Sequence, residues 1–124
     1  MFTIQGLDHI VLRTFHLDRM LVFYCEVLGC QIERVNNAIG LTHLRAGEQL
    51  IDLLKIDHLP KEKNLEHFCL RIHPFSYPKL QQYFHEQGIT TLRYDTRYNA
   101  LGHGYSFYVQ DPDGNEIEFI AGSE

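Results

Sequence analysis

The heptapeptide Leu7-Asp8-His9-Ile10-Val11-Leu12-Arg13 returns 58 residues later as Leu65-Glu66-His67-Phe68-Cys69-Leu70-Arg71. A recurrence of the form Leu-acid-His-x-x-Leu-Arg implies that the chain builds one supersecondary unit twice, and this limits its possible folds more than any other feature. The residues after each copy agree. Met20, Phe23, Tyr24, Val27 and Leu28 are spaced as on one face of a helix over Leu17 to Leu28, and Leu80, Tyr83 and Phe84 likewise over Tyr77 to Glu86. Gly29 and Gly88 stand where helix C-termini are expected. Short β-type runs come next in both halves: Gln31 to Val35, Gly40 to Leu44 and Gln49 to Ile56, then Thr91 to Tyr94, Tyr105 to Gln110 and Asn115 to Ile120. The expected order is βαβββ twice, an α+β fold. Module 1 spans about 5–56, a linker 57–64, and module 2 about 65–121. In Asp111-Pro112-Asp113-Gly114-Asn115, Pro at the second turn position and Gly near the end predict a tight turn into the last strand.

The 124 residues suffice for one compact domain and not for two conventional ones, so the duplication is expected within a single domain, 1–124. Hydrophobic residues at 44% and charged residues at 22% are those of a globular chain, not a disordered one. A net charge of −5, with eleven dispersed Lys and Arg, provides no basic stripe for a phosphate backbone, which argues against nucleic acid. Met1 to Gly6 lacks the pattern of a secretion signal, and no apolar run is long enough to cross a bilayer, so the expected compartment is the cytoplasm. Cys25, Cys30 and Cys69 are odd in number and without Cys-x-x-Cys spacing, and are expected as reduced, mostly buried thiols.

Strand alternation places His9 and His67 on one face of their strands, with Ile10, Leu12, Phe68 and Leu70 on the other. The last strand of each module repeats the pattern, with Asp52 between Ile51 and Leu53 and Glu118 between Ile117 and Phe119. A sheet curved around the polar face would gather two imidazoles and up to two carboxylates. Burying two carboxylates without a counter-charge is costly, and a divalent cation removes that cost. Such a donor set suits Fe(II), Mn(II), Ni(II), Co(II) or Zn(II) better than calcium or magnesium. Taken singly, a strand histidine is more often packed or surface-exposed than ligating, and a duplicated salt-bridge network without metal would leave the same pattern. Two equivalent histidines and two equivalent carboxylates favour ligation. Asp8 and Glu66, on the opposite parity, are expected to cap strand starts or face solvent, and His16, His43, His58, His73 and His85 to lie at the surface.

Leu7-Asp8-His9, Phe23-Tyr24-x-x-Val27-Leu28-Gly29, Gly102-His103-Gly104 and Asp111-Pro112-Asp113-Gly114-Asn115-x-Ile117-Glu118 together resemble the vicinal-oxygen-chelate superfamily, which includes glyoxalase I, fosfomycin-resistance thiol transferases, extradiol dioxygenases and bleomycin-binding proteins. The similarity covers nearly the whole chain and is nearest to small glyoxalase-like members. It implies a curved, partly open mixed-sheet barrel around a metal cleft with helices outside. It also implies a divalent ion held by His9, His67 and Glu118, with Asp52 as a fourth ligand or as the base. The implied activity is that of a lyase or isomerase acting on a small α-oxo or thiol-adduct substrate, whose enediolate or oxyanion the metal stabilises while Glu118 or Asp52 moves a proton. Residues 97–105 resemble a glycine-bearing loop over the cleft, from which Arg97, His103 and Tyr105 would bind substrate. Relatives imply a homodimer. An Fe(II) dioxygenase, for which His9, His67 and Glu118 would form a two-His-one-carboxylate triad, and a non-catalytic drug-binding protein are the alternatives.

Overall fold

The computed structural model describes residues 1–123, and the chain divides into two compact units, 1–64 and 65–124, at the start of the second heptapeptide copy. In module 1 the elements are β1 (His9–Thr14), α1 (Leu17–Leu21) continued by a π-helical segment (Val22–Val27), β2 (Gln31–Asn36), β3 (Leu41–Ala46) and β4 (Gln49–Lys55). Module 2 repeats the order with β5 (Phe68–Ile72), α2 (Tyr77–Glu86), β6 (Thr91–Asn99), β7 (Gly102–Gln110) and β8 (Glu116–Ala121). Each module is therefore βαβββ.

The sheets have equivalent topology, β1-β4-β3-β2 and β5-β8-β7-β6, in which the first and last strands of the module run parallel and the other neighbours antiparallel. Neither is closed into a barrel. The helix after the first strand is the crossover that parallel pairing requires. Even the irregularities repeat, since β2 shifts register between Ile32 and Arg34 and β6 between Thr91 and Arg93. Extra residues of this kind bend and twist an edge strand.

Each sheet buries one face beneath its helix. In module 1, Leu12, Leu44, Ile51 and Leu53 are buried, as are Met20, Phe23 and Tyr24 of the helical segment. In module 2, Phe84 of α2 stacks on Phe107, with centroids 5.9 Å apart, and on Phe119 at 5.5 Å. Tyr77 at the start of α2 stacks on Tyr94 of β6 at 4.0 Å. Alternation turns the residues between these toward the opposite face.

Three local expectations are modified. The Leu17 to Leu28 helix changes pitch at Val22: Leu28 N–H donates to the Phe23 carbonyl at 3.0 Å, five residues back, which is the wider π spacing. Residues 97–105 are not a loop but the tip of a hairpin, with Arg97 opposite Gly104, Tyr98 opposite His103 and Asn99 opposite Gly102 around a two-residue turn. The thiols are free but less buried than composition suggested, Cys25 and Cys30 being half-buried and Cys69 exposed. Helix α2 ends as expected. Gly88, at φ +70°, donates to the His85 carbonyl at 3.0 Å, and Ile89 donates to that of Phe84 at 2.9 Å, the paired bonds that close a helix through a left-handed glycine.

The turn before β8 is also as expected, and Asp111 organises it. Its Oδ1 accepts from the Asp113 and Asn115 amides, both at 2.9 Å, while its Oδ2 accepts from Asn115 Nδ2 at 2.8 Å. Glu118 enters the sheet three residues later on this fixed base. Among the described residues no helix is long and apolar enough to cross a membrane.

Candidate metal centre

On the face of the module 2 sheet away from α2, β8 presents Glu118, with Cys69 of β5 and Tyr108 of β7 as its register partners. His67 immediately precedes β5 and lies two residues from Cys69, on the same side. Its Nε2 is 3.1 Å from Glu118 Oε1. Glu118 is only 6% exposed, and its second oxygen, Oε2, accepts a 2.6 Å hydrogen bond from the Ser106 hydroxyl. A carboxylate removed from water needs such partners. The Tyr108 ring stands edge-on to His67, 6.1 Å between centroids, beneath the Arg93 guanidinium at 3.8 Å. Burial, and then the Glu118 charge, hold the Tyr108 phenol above its usual titration range, so it remains a hydrogen-bond donor on this face. Arg93 is also paired with Glu116.

Module 1 repeats the placement with different partners. Asp52 on β4 is 2% exposed and lies opposite Val11 of β1 and His43 of β3. Its Oδ1 meets His43 Nδ1 at 2.9 Å. His9 lies two residues before Val11, on the same face. The pKa of His9 is raised, chiefly by the hydrogen bond from its Nδ1 to Asp8 at 2.7 Å, with desolvation opposing and the Asp52 charge adding to the rise.

Sequence reasoning missed the partners of four of these residues. Asp8 and Glu66 face solvent as expected, and each also lies beside its histidine: His67 Nδ1 is 3.9 Å from Glu66, as His9 Nδ1 is close to Asp8. Their recurrence beside the histidines was the available signal, because a ligating imidazole commonly gives its other nitrogen to a carboxylate. His43, expected at the surface, is half-buried against Asp52, and Tyr108 takes the equivalent place beside Glu118. The signal for these two was register, which periodicity alone does not supply.

The predicted substrate-binding residues separate by face. Arg97 is on the Tyr108 side of the hairpin and is paired with Asp95 at 2.6 Å. Tyr105, three residues from Tyr108, has the opposite parity and stacks on Tyr94 at 5.2 Å, while His103 has the parity of Tyr105 and meets Tyr98 edge-on at 5.2 Å.

Among the described residues no group of three His, Cys, Asp or Glu side chains stands within either module as a complete metal cage. Module 2 instead holds a nitrogen and a carboxylate oxygen already converged, with an acid at the far side of the imidazole. This donor chemistry fits a borderline divalent ion.

The Glyoxalase/Bleomycin resistance protein/Dioxygenase superfamily model matches residues 6–119. The chain is 27% identical over 126 residues to the glutathione transferase FosA of Serratia marcescens, covering 97% of this chain and 83% of that protein. Among solved structures, a protein from the mobile metagenome of V. Pseudocholerae is 30% identical with a TM-score of 0.80, over 100% of this chain and 99% of that one. The lactoylglutathione lyase of Agrobacterium tumefaciens shares the fold, with a TM-score of 0.71 at 22% identity over 94% and 93% of the two chains. Repeated βαβββ modules, histidine and carboxylate at matched register, and a match over nearly the full length agree: the chain belongs to the glyoxalase, bleomycin resistance and dioxygenase superfamily.

Proposed function

We propose that this chain is a metal-dependent enzyme of glyoxalase type, a lyase or isomerase acting on a small α-oxo or thiol-adduct substrate. The single observation that supports it most is the buried Glu118 carboxylate converged on His67 Nε2 at 3.1 Å. A packing role would be filled more cheaply by a hydrophobe. His67 and Glu118, joined by His9 from the first copy of the repeat, are the residues that would hold the ion, and superfamily members typically use divalent metal ions. When bound, such an ion supplies Lewis acidity toward a substrate oxygen.

The chain's own groups do the rest. Ser106 fixes the direction of Glu118. Tyr108 donates a phenolic hydrogen bond beside it, and Arg93 and Arg97 put positive charge on the same face for an anionic part of the substrate. Two modules working as one domain, and as a homodimer in the cytoplasm, complete the reading.

The similarity to a glutathione transferase over 97% of the chain favours thiol transfer to a small electrophile as the second reading. Metal-loaded protein assayed against the hemithioacetal of methylglyoxal and glutathione, against fosfomycin with glutathione, and against catechols separates the possibilities. Isomerisation of the hemithioacetal, abolished in Glu118→Gln, is the expected result. Thiol consumption only with fosfomycin would favour the second reading, and oxygen uptake with catechol would replace both by a dioxygenase.

A further inference from the structure

Strand β6 is the edge of its sheet: β7 lies on one side and, among the described residues, no strand lies on the other. It runs from Thr91 to Asn99, and Arg93 through Tyr98 are all exposed. The hairpin fixes which backbone groups point outward. Asn99 and Gly102 flank the two-residue turn, a position at which an antiparallel pair exchanges both of its hydrogen bonds. Alternation from there turns the N–H and C=O groups of Tyr98, Thr96 and Tyr94 away from β7. Thr96 bears this out. Its N–H donates to Asp95 Oδ1 at 2.8 Å and its carbonyl accepts from Arg97 Nη1 at 2.9 Å, while Arg97 and Asp95 are themselves paired at 2.6 Å. A long exposed edge is a template for a further strand, and here two charges close over its middle.

The side chains of this edge are complementary to themselves. If β6 pairs antiparallel with a second β6 about a two-fold axis at Thr96, Thr96 meets Thr96, and on each side of the axis Asp95 meets Arg97 and Tyr94 meets Tyr98. The outward groups of Tyr94, Thr96 and Tyr98 then exchange the backbone hydrogen bonds. Asp95 and Arg97 fall at the positions between, where opposed side chains come closest. The charges occupy one face, and Tyr94 and Tyr98 the other, which they share with Phe107. Tyr98 is 76% exposed, so its ring gains cover from such pairing. Moving the axis by one residue, to Asp95, sets Asp95 against itself and Arg93 against Arg97, so like charges reject that register.

We infer that β6 is the surface through which this chain associates with a second copy of itself, edge to edge, antiparallel and centred on Thr96. This rests on the homodimer in the functional reading and names its surface. On association the Asp95–Arg97 pair within one strand is exchanged for the same pair between strands, so no charge loses its partner. The gain is the backbone hydrogen bonding of the joined edges and the covered tyrosine rings. Because the contact is two-fold symmetric, it uses the same strand of both copies and closes at a dimer. Arg93 lies opposite the uncharged Asn99 of the second copy, which leaves its pairing with Glu116 in place.

Sedimentation of the full chain over a concentration series reads the assembly, and a dimer is expected for the parent. Asp95→Arg and Arg97→Asp each set like charges against one another across the axis, and each should weaken self-association by about tenfold or more. An equimolar mixture of the two variants sets opposite charges together at every one of these contacts and should associate about as tightly as the parent. Neither variant keeps the pair within its own strand, so recovery on mixing can come only from pairing between chains. In the parent, amide exchange at Tyr94, Thr96 and Tyr98 should slow as the dimer forms. A dimeric parent whose variants associate as well as it does, a mixture that stays monomeric, or edge amides that exchange alike in monomer and dimer would each overturn the inference and leave the homodimer to another surface. A parent that is monomeric throughout overturns the homodimer and this inference together, while metal uptake and activity of the same protein still decide the enzymatic reading.

Discussion

Ser106 has no exposed surface, and its hydroxyl supplies the hydrogen bond on Glu118 Oε2. Replacing it with alanine leaves that oxygen buried without its donor, which costs about 1–3 kcal/mol of stability. The same change should weaken metal binding about ten- to hundredfold, since the carboxylate loses the contact that aims it. Urea unfolding and metal titration of Ser106→Ala read the two effects separately, and unchanged affinity would remove Ser106 from the site. Cys30 makes a prediction of a different kind. Burial pushes its thiol up to about 11 from an ordinary value of 9.0, so the folded state retains a proton that the unfolded chain releases earlier. A raised folded pKa contributes stability that is present below pH 9 and is lost as pH rises toward 11. Denaturation midpoints should therefore fall across that window, and Cys30→Ser should flatten the fall. Among single residues, the repeat singled out His9, His67 and Glu118 as candidates, and the structure brings the last two within 3.1 Å of one another. His43 was not legible, since parity assigns a residue to a face and says nothing about which carboxylate on that face will reach it.

At the scale of elements, α2 is attached to its sheet largely through Phe84, which stacks on Phe107 and Phe119 and is 2% exposed. Phe84→Ala should cost about 3–5 kcal/mol, read as a fall in the denaturant midpoint. A loss under about 1 kcal/mol would mean that the helix is held elsewhere. The strands were legible in order and approximate extent because apolar and polar residues alternate along them. The hairpin at 97–105 was not, because Gly102 and Gly104 look like loop residues although only Gly102 adopts a positive φ, at +105°, where the chain turns back into β7. In the first helical segment the apolar spacing placed the buried face correctly, with Met20, Phe23 and Tyr24 inside, but did not reveal the change to π spacing at Val22. A register of five rather than four residues leaves the same side chains on the same side over so short a stretch.

For the molecule as a whole, duplication is the organising fact. It dictated two sheets of equivalent topology, put a buried carboxylate on the last strand of each, and preserved an edge-strand register shift at the same place in both. Divergence between the copies then gave the two carboxylates different partners: a longer acid turned to His67 in one and a shorter acid turned to His43 in the other. Function was legible only as far as the superfamily, because the neighbours of Glu118 and His67, among them Arg93 and Tyr108, depend on strand pairing that no periodicity announces. The proposed chemistry depends throughout on a divalent ion held through His67. Metal content should be measured for the parent and for His67→Ala after incubation with Ni(II), Mn(II), Zn(II) or Fe(II) and removal of free ion. Stoichiometric metal in the parent and none in the variant is expected, with the circular dichroism of both alike. Metal-free parent protein, or equal metal in the two, would contradict a metal centre at His67.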